Sequence, residues 1–590
     1  MTSFPDLGIR VGGAAGDGIA TLGESFARLF TRNGYHAYGH TAYQSVIRGG
    51  HVWFHARGSA ERAWSLGDGI DILYAYNEQT AEIHAPFLRK GGVLVHDPEK
   101  FKFPADRMPA GTRLVPVPAL EMSRKYASDP ILSGSAGMGA ITFLAGFPFE
   151  TLVGILKDNF GTKKQEILDQ NLGTAEAGYK YVKERERPVE RAFSPNRGAE
   201  KLLITGNQAI AMGAAAAGCQ FLAQYPMTPA STVMHWMADH ASSLGIVVKQ
   251  AEDELAAINM AIGASHAGVR AMTATSGGGF SLMVEALGMA GMTETPLVVV
   301  NSQRTGPSTG LPTKTEQGDL DLMLGAGQGD FPRAILAPGD VSEAYHSTME
   351  AFRLAEDWQT PVLLASDFGL SENFQSADRS DFPMDFVPPH LYAQAPPTTP
   401  GGFRRYMHTP SGVSPRAFPG QKGFNFVAGS DEHDEFGHLI SDVKVGVPPA
   451  IEERRHMMEK RMRKLDGMRN AMKAPDLEGP ANAQLTIVAW GSTAGAVRDA
   501  LRELNSDGSK VNFLHISRVY PVKSIEVAKA LVHTPKTLLV EANYTAKLGG
   551  LIRKETGIDL PNRLLKYDGE PFHPAEIVER ARGVLAAGGH

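Results

Sequence analysis

At 590 residues the chain is far longer than one ordinary hydrophobic core supports, so about three or four domains are expected. Hydrophobic residues make up 43% and charged residues 21%, the balance of a soluble globular protein, and a formal net charge of −6 excludes a basic nucleic-acid binder. No apolar run reaches the roughly 20 residues of a membrane span, and MTSFPDLGIRVGG lacks a basic segment followed by an apolar one, so a cytoplasmic chain without a secretion signal is expected.

Residues 1–185 alternate strand-like and helical patterns. The apolar run Ile9–Val11 leads into a glycine turn, and Ile19, Leu22, Phe26 and Leu29 then recur at helical spacing. Further runs at Ile72–Ala75 and Val93–Val95 predict an α/β domain on a largely parallel sheet. Residues 186–200, charged and proline-bearing, read as a linker. A second α/β domain is expected over 201–373, with strands at Leu202–Ile204, Phe221–Ala223, Arg270–Thr275, Leu297–Asn301 and Pro361–Ala365. Residues 374–483 read as an extended connection rich in proline, glycine and aromatics. That stretch includes a charged helix at 451–473 whose methionines are expected to form one buried stripe. A third α/β domain spans 484–590, with strands at Leu485–Trp490, Val511–Ile516 and Thr537–Val540 and a helix at Ala496–Leu504. The fold class is thus α/β: three domains with mainly parallel sheets, none an evident copy of another.

Gly13, Gly16 and Gly18 match GxxGxG between a strand and a helix, where the backbone approaches an anion closely and the helix N-terminus favours negative charge. The dinucleotide fingerprint requires an acid about twenty residues on. The chain there reads GYHAYGHTAY, with none. Tight strand-to-helix packing and binding of another phosphate both remain open. Arg48, in the Arg48–Gly49–Gly50 turn, is a candidate cation at the same sheet edge.

In parallel sheets, ligands bind at the carboxyl ends of the strands. Three polar, glycine-bearing segments fall there: QYPMTPAS, with Thr228 placed as a helix cap; SGGGF, with Ser276, Gly277 and Gly278; and SQRTGPSTGLPTK, with Arg304 and Lys314. Glu252, Asp253 and Glu254 open a helix whose Ala256, Ala257, Ala261, Gly263 and Ala264 imply close packing. A buried glutamate there needs a hydrogen-bond donor. Cys219 is the single cysteine and lies in an apolar stretch, which makes it a small core residue. One cysteine cannot hold an iron–sulfur cluster or form an intrachain disulfide. The acidic cluster around His433 in GSDEHDEFG fixes no ligand geometry, so no metal is assigned to this chain.

The run YPMTPAST, the acidic small-residue helix, TSGGGFSLMVEALGMA and QRTGPSTGLPT, in that order, resemble the α subunit of the 2-oxoacid:ferredoxin oxidoreductase family. GGAAGDG with the later RGG looks like the family's γ subunit, fused ahead of α, and VEANYTAKLGGLIR resembles its transketolase-C-terminal-like domain. GSDEHDEFG also has a counterpart in the family. The resemblance implies a γ-type domain over 1–185, a pyrimidine-binding domain over 201–373 and a transketolase C-terminal-like domain over 484–590. It also implies that thiamine diphosphate is shared between two subunits. A β subunit would carry the diphosphate, Mg2+ and the 4Fe–4S cluster, and this chain would receive the aminopyrimidine. Glu254 matches the glutamate that hydrogen-bonds the pyrimidine N1′, with Glu252 the alternative if the register is off by two. Ser276, Gly277 and Gly278 then line the cofactor, Thr228, Arg304 and Lys314 meet the substrate, and Arg48 with Gly13, Gly16 and Gly18 faces coenzyme A.

The implied reaction interconverts 2-oxoglutarate, coenzyme A and oxidised ferredoxin with succinyl-CoA, CO2 and reduced ferredoxin. The implied assembly is a heterotetramer of two α and two β chains, with ferredoxin as electron partner and no nucleic acid or membrane. Pyruvate, branched-chain and aryl 2-oxoacids are the alternative substrates. A flavin- or nicotinamide-binding dehydrogenase and a non-catalytic assembly subunit are the rival classes.

Overall fold

The computed structural model describes residues 6–44, 50–127, 130–195, 198–383, 402–440 and 448–587. Contacts divide the chain into two compact units. The first holds residues up to Thr205 with Glu372–Asp381 and His573–Glu576, and the second holds the remainder.

The first unit is built on an eight-stranded sheet in the order Arg113–Pro116, Leu88–His96, Ile70–Ala75, Asp6–Ala14, His51–Ser59, His36–Ala42, Phe374–Ala377 and Leu202–Thr205. The half up to Asp6–Ala14 is parallel, as the separated apolar runs predict. The other half is antiparallel. Leu202–Thr205, expected to open the second domain, pairs instead with Phe374–Ala377 at the edge of this sheet. Residues 186–200 are more than a connector, because Val189 and Phe193 are buried in the first core, where Phe193 stacks on Tyr35 with ring centroids 4.2 Å apart. Alternating patterns report only which face is buried, so they do not identify a strand that joins a sheet formed by distant residues.

The second unit carries two sheets. The seven-stranded sheet runs Arg518–Tyr520, Ala334–Leu336, Pro361–Asp367, Leu297–Gln303, Ala271–Thr275, Phe221–Gln224 and Val247–Gln250. All its pairings are parallel except that of Arg518–Tyr520. The five-stranded sheet runs Asp476–Glu478, Val511–His515, Leu485–Ala489, Thr537–Glu541 and Arg563–Leu565. One hydrophobic cluster serves both: Leu297, Val299 and Ile335 of the larger sheet pack in it with Val488, Trp490, Leu514 and Leu539 of the smaller. Cys219 is buried, and desolvation pushes its thiol up to about 12.

The charged helix forms over Pro448–Ala471, and Met457 and Met468 are buried on it together with Met472 just beyond its end. The same stripe also buries Lys460, Arg461 and Lys464. The partners of these cations explain why so polar a face is buried. Lys460 Nζ and Lys464 Nζ each stand 2.6 Å from a different oxygen of the fully buried Glu294. Arg461 forms two bonds to Glu432, at 2.9 and 2.8 Å, and Arg405 Nη2 donates to the Glu294 carbonyl (2.8 Å). Burial pushes the Glu294 carboxyl up, but Lys464, Lys460 and Arg405 outweigh it and hold the group well below the usual carboxylate range. Its stabilisation is therefore complete above the ordinary carboxylate pKa of about 4.3 and is lost only as pH falls through the depressed value. Glu294→Gln leaves two buried ammonium groups without a carboxylate. Urea denaturation at neutral pH is expected to show a loss of about 3–5 kcal/mol, most of it recovered when Lys460 and Lys464 are also replaced by methionine.

Candidate active site

Four strands of the seven-stranded sheet end side by side at Gln224, Thr275, Gln303 and Asp367, and the polar segments singled out from the sequence follow the first three. Behind Phe221–Gln224 the chain turns tightly. Gln224 Nε2 donates to Ala230 O (2.9 Å), and Asn207 Nδ2 donates to Pro229 O (2.6 Å) and Thr232 Oγ1 (2.7 Å). Thr228 does not cap the next helix, which begins only at Ser231, because residues 228–230 are consumed by this turn. Thr228 is joined to Pro229 by a cis peptide, and its carbonyl accepts from Arg304 Nη1 at 2.7 Å.

The three acids before the small-residue helix have different fates. Glu252 is exposed to solvent. Asp253 is the N-cap of helix Glu254–His266, its side chain accepting from Ala256 N (2.7 Å). Glu254 is only 3% exposed, and its Oε1 has no hydrogen-bond partner among the described residues. Below it, Ala257 and Ala261 are buried where larger side chains would lift the helix off the core. On the same helix Leu255 (45%) and Met260 (38%) are exposed, as is Leu282 (48%) on the helix that follows the triple glycine.

That helix, Gly277–Met292, starts at the triple glycine, with Ser276 as a fully buried N-cap whose Oγ is unpartnered among the described residues. Each glycine faces a different neighbour. A methyl at Gly279 would stand 2.4 Å from Glu254 Oε1 and 2.2 Å from Thr275 Oγ1, and one at Gly277 would stand 2.5 Å from Asp319 Oδ2. A methyl at Gly278 meets nothing within 4 Å. Carboxyl groups thus stand close to Gly277 and Gly279 at the start of this helix, and Gly278 is exposed. Asp319, which the sequence reading missed, accepts from Asn301 Nδ2 (3.1 Å), and its own amide donates to Gln303 Oε1 (2.9 Å). Burial raises its pKa, with Asn301, Lys547 and Arg304 opposing. The only signal in the sequence was an acid at the start of the short helix Leu320–Gly325.

Arg304 touches the Thr228 carbonyl and Met227 Sδ (3.5 Å), neither of which neutralises its charge. Lys314 is different: it forms an ion pair with Glu570. The structure therefore gathers Thr228, Glu254, Ser276, Gly277, Gly278 and Arg304 at one sheet edge and leaves Lys314 neutralised beside them.

In the first unit, Gly16 (φ +104°) and Gly18 (φ +76°) take the left-handed backbone between strand Asp6–Ala14 and helix Ile19–Arg32, and Gly13 lies on the strand itself. Asp17 Oδ2 accepts from Ala14 N (2.8 Å) and closes the turn. Beside it lies a cavity of about 400 Å3 lined by Asp17, Gly18, Thr21, Tyr76, Lys163 and Gln170 among others. Arg48 lies outside the described residues. A histidine pair adjoins the loop, unforeseen because its members are 33 residues apart. Arg10 Nη1 donates to His84 Nδ1 (3.2 Å), so His84 carries its proton on Nε2 and donates it to His51 Nε2 (2.8 Å). Burial, then Arg10 and His51, push His84 down to about 2, so His84 is neutral at ordinary pH, and burial lowers His51 as well.

Among the described residues no group of three or more His, Cys, Asp or Glu is placed to hold a metal, and no helix is long and apolar enough to cross a membrane. In the stretch around His433, Glu432 is bound by Arg461 and Arg454, and His433 Nδ1 bonds the Asp431 carbonyl (2.9 Å).

Comparison with known proteins agrees with this arrangement. Residues 212–445 match the family model described as pyruvate flavodoxin/ferredoxin oxidoreductase, thiamine diP-binding. Residues 8–181 match the one described as pyruvate ferredoxin/flavodoxin oxidoreductase. The 2-oxoacid:ferredoxin oxidoreductase subunit alpha of a Sulfolobus species is 33% identical over 640 residues, covering 98% of this chain and 97% of its own length. The 2-oxoglutarate oxidoreductase subunit KorA of Mycobacterium tuberculosis is 29% identical over 621 residues, covering 98% and 91%. Among solved structures, 2-oxoglutarate:ferredoxin oxidoreductase from Magnetococcus marinus, with 2-oxoglutarate, coenzyme A and succinyl-CoA bound, is similar with a TM-score of 0.91 and 33% identity, over 99% of this chain and 100% of that one. With 98% of its length aligned to such subunits, the chain belongs to the 2-oxoacid:ferredoxin oxidoreductase family, as an alpha subunit.

Proposed function

We propose that this chain is the aminopyrimidine-side subunit of a thiamine-diphosphate-dependent 2-oxoglutarate:ferredoxin oxidoreductase, interconverting 2-oxoglutarate, coenzyme A and oxidised ferredoxin with succinyl-CoA, CO2 and reduced ferredoxin. The observation that carries the reading is Glu254, whose buried carboxyl oxygen has no partner among the described residues and faces the start of the triple-glycine helix at Gly279. A ring nitrogen that exchanges a proton with a carboxyl group satisfies that oxygen. Thiamine diphosphate, when bound, supplies the carbon nucleophile and the electron sink for loss of CO2. Glu254 holds the proton at Oε1, while Ser276, Gly277 and Gly278 shape the space for the ring. The exposure of Glu252 and the capping role of Asp253 favour Glu254 over the alternative register.

Arg304 is the substrate cation, since among the described residues it forms no direct ion pair with a carboxylate, Asp319 acting on it only at longer range, whereas Lys314 pairs with Glu570; Thr228 is held against Arg304. Lys314 serves the distal carboxylate of 2-oxoglutarate only by releasing Glu570. Coenzyme A is assigned to the Gly13–Gly18 loop and the adjoining cavity, where Lys163 offers a cation to phosphate and the apolar wall suits an alkyl arm. The β partner carries the diphosphate site, Mg2+ and the 4Fe–4S cluster, because one cysteine cannot ligate a cluster here. The exposed Leu255, Met260 and Leu282 on the two helices of the site are the surface a partner covers in an assembly of two α and two β chains.

The test is reduction of ferredoxin or a viologen by the purified complex with coenzyme A and a panel of 2-oxoacids. Highest turnover with 2-oxoglutarate is expected. A preference for pyruvate, a branched-chain or an aryl 2-oxoacid reassigns the substrate, and a bound flavin in the absorption spectrum overturns the reading. Glu254→Ala should lower turnover by about 10²–10⁴-fold in a folded complex. Gly279→Ala should approach the same loss, because its methyl displaces the Glu254 carboxyl. Arg304→Ala should raise the KM for the oxoacid at least about tenfold, with thiamine diphosphate saturation unchanged.

A further inference from the structure

The segment Glu541–Gly549, part of the stretch VEANYTAKLGG, ends a strand of the five-stranded sheet, yet it packs on the loop that carries Arg304. Gln317 is the point of contact. It is fully buried, and each of its four polar atoms bonds to the C-terminal part of the unit. Its amide donates to Ala542 O (2.7 Å), and its carbonyl accepts from Asn543 Nδ2 (3.2 Å). Its Oε1 accepts from Ala542 N (3.1 Å), and its Nε2 donates to Trp490 O (2.7 Å). The approach is close: a methyl at Gly491 would stand 2.7 Å from Gln317 Nε2.

The receiving side is itself rigid. Glu541 accepts from Trp490 Nε1 (3.2 Å), Asn543 Nδ2 (2.7 Å) and the amides of Leu548 (3.0 Å) and Gly549 (3.1 Å). This fixes the orientation of the Asn543 side chain. From Gln317 the constraint passes back along the loop. Thr315 bonds Gly569 O (3.1 Å) through its amide and Asp367 Oδ1 (3.2 Å) through its hydroxyl. Thr305 donates to Lys314 O (3.1 Å) and Thr315 O (3.2 Å), and Arg304 is the next residue.

We infer that Gln317 is a positioning residue for substrate binding: the Glu541–Asn543 segment clamps it, and through Thr315 and Thr305 the clamp sets where Arg304 stands. The inference rests on the reading of Arg304 as the substrate cation. It gives the C-terminal segment a role in oxoacid recognition without contact to the oxoacid. A buried side chain whose bonds serve only to hold a loop affects affinity through geometry, and small displacements of a binding group are costly.

The experiment compares Gln317→Ala with Arg304→Ala in the purified complex, measuring kcat, the KM for the 2-oxoacid and half-saturation by thiamine diphosphate. For Gln317→Ala the KM is expected to rise about tenfold, with kcat within about threefold and thiamine diphosphate saturation unchanged. If Arg304→Ala raises the KM and Gln317→Ala does not, the positioning role is overturned while the assignment of Arg304 stands. If all three quantities fail together for Gln317→Ala, its role is general stability and the inference is overturned. If Arg304→Ala leaves the KM unchanged, the assignment of Arg304 fails and the inference with it. Should Gln317→Ala not fold, Asn543→Ala, which removes the bond from the Asn543 side chain to the Gln317 carbonyl and so loosens the same clamp at another point, is read by the same criteria.

Discussion

A carboxyl group buried without a partner costs about 1–3 kcal/mol, and the site holds one that is left unsatisfied among the described residues. Glu254 sits at the first turn of its helix because Asp253 takes the cap, and it is buried because the glycine at 279 lets the next helix start against it. Other buried carboxylates in the same unit are treated differently. Glu541 receives four donors, Asp367 is bonded by Thr315, Leu370 and Ser492, and Glu294 meets two lysines. Against these satisfied acids, the Glu254 oxygen that has no partner among the described residues is what supports the proposal that a ligand completes it.

The satisfied acids hold together the frame on which that site depends. Glu294 lies just beyond the C-terminal end of the helix that begins at Gly277 and draws Lys460 and Lys464 of the long charged helix into the interior, so the connection after residue 402 is anchored by charge as well as by apolar packing. Glu541 stiffens the segment that grips Gln317, and the shared hydrophobic cluster prevents the smaller sheet from moving independently of the larger. Each buried charge is expensive alone and tolerable only as part of a completed set, so these contacts form and fail together.

The main α/β elements were legible because local patterns carry them. The runs at Phe221–Ala223, Leu297–Asn301, Leu485–Trp490 and Thr537–Val540 are short, apolar and separated by helical periodicity, and each became a strand. The polar loops after Phe221–Ala223, Arg270–Thr275 and Leu297–Asn301 were legible as candidate binding segments, because the carboxyl edge of a parallel sheet is where such residues collect. Less of the first sheet was legible. In its antiparallel half the strand at 36–42 pairs with 374–377, which pairs in turn with 202–205, and nothing local to Leu202 indicates which sheet it will join. The charged helix shows the same limit: its methionines marked the buried stripe, but the partners that let Lys460, Arg461 and Lys464 lie in it come from Glu294 and Glu432, far away in sequence.

By itself the sequence determined that the chain is a multidomain α/β protein, that it lacks the thiols for a cluster, and that the segments carrying Thr228, the triple glycine and Arg304 fall at one edge, while Glu254 joined them there only through the family resemblance. It did so because composition and period are properties of short stretches. Only the tertiary structure decided which of three adjacent acids is buried with an oxygen unpaired among the described residues, that Lys314 forms an ion pair with Glu570, and that Gln317 ties the loop carrying Arg304 to the C-terminal strands. Those outcomes depend on desolvation and on donors supplied by residues up to more than two hundred positions away, and neither exists until the chain has folded.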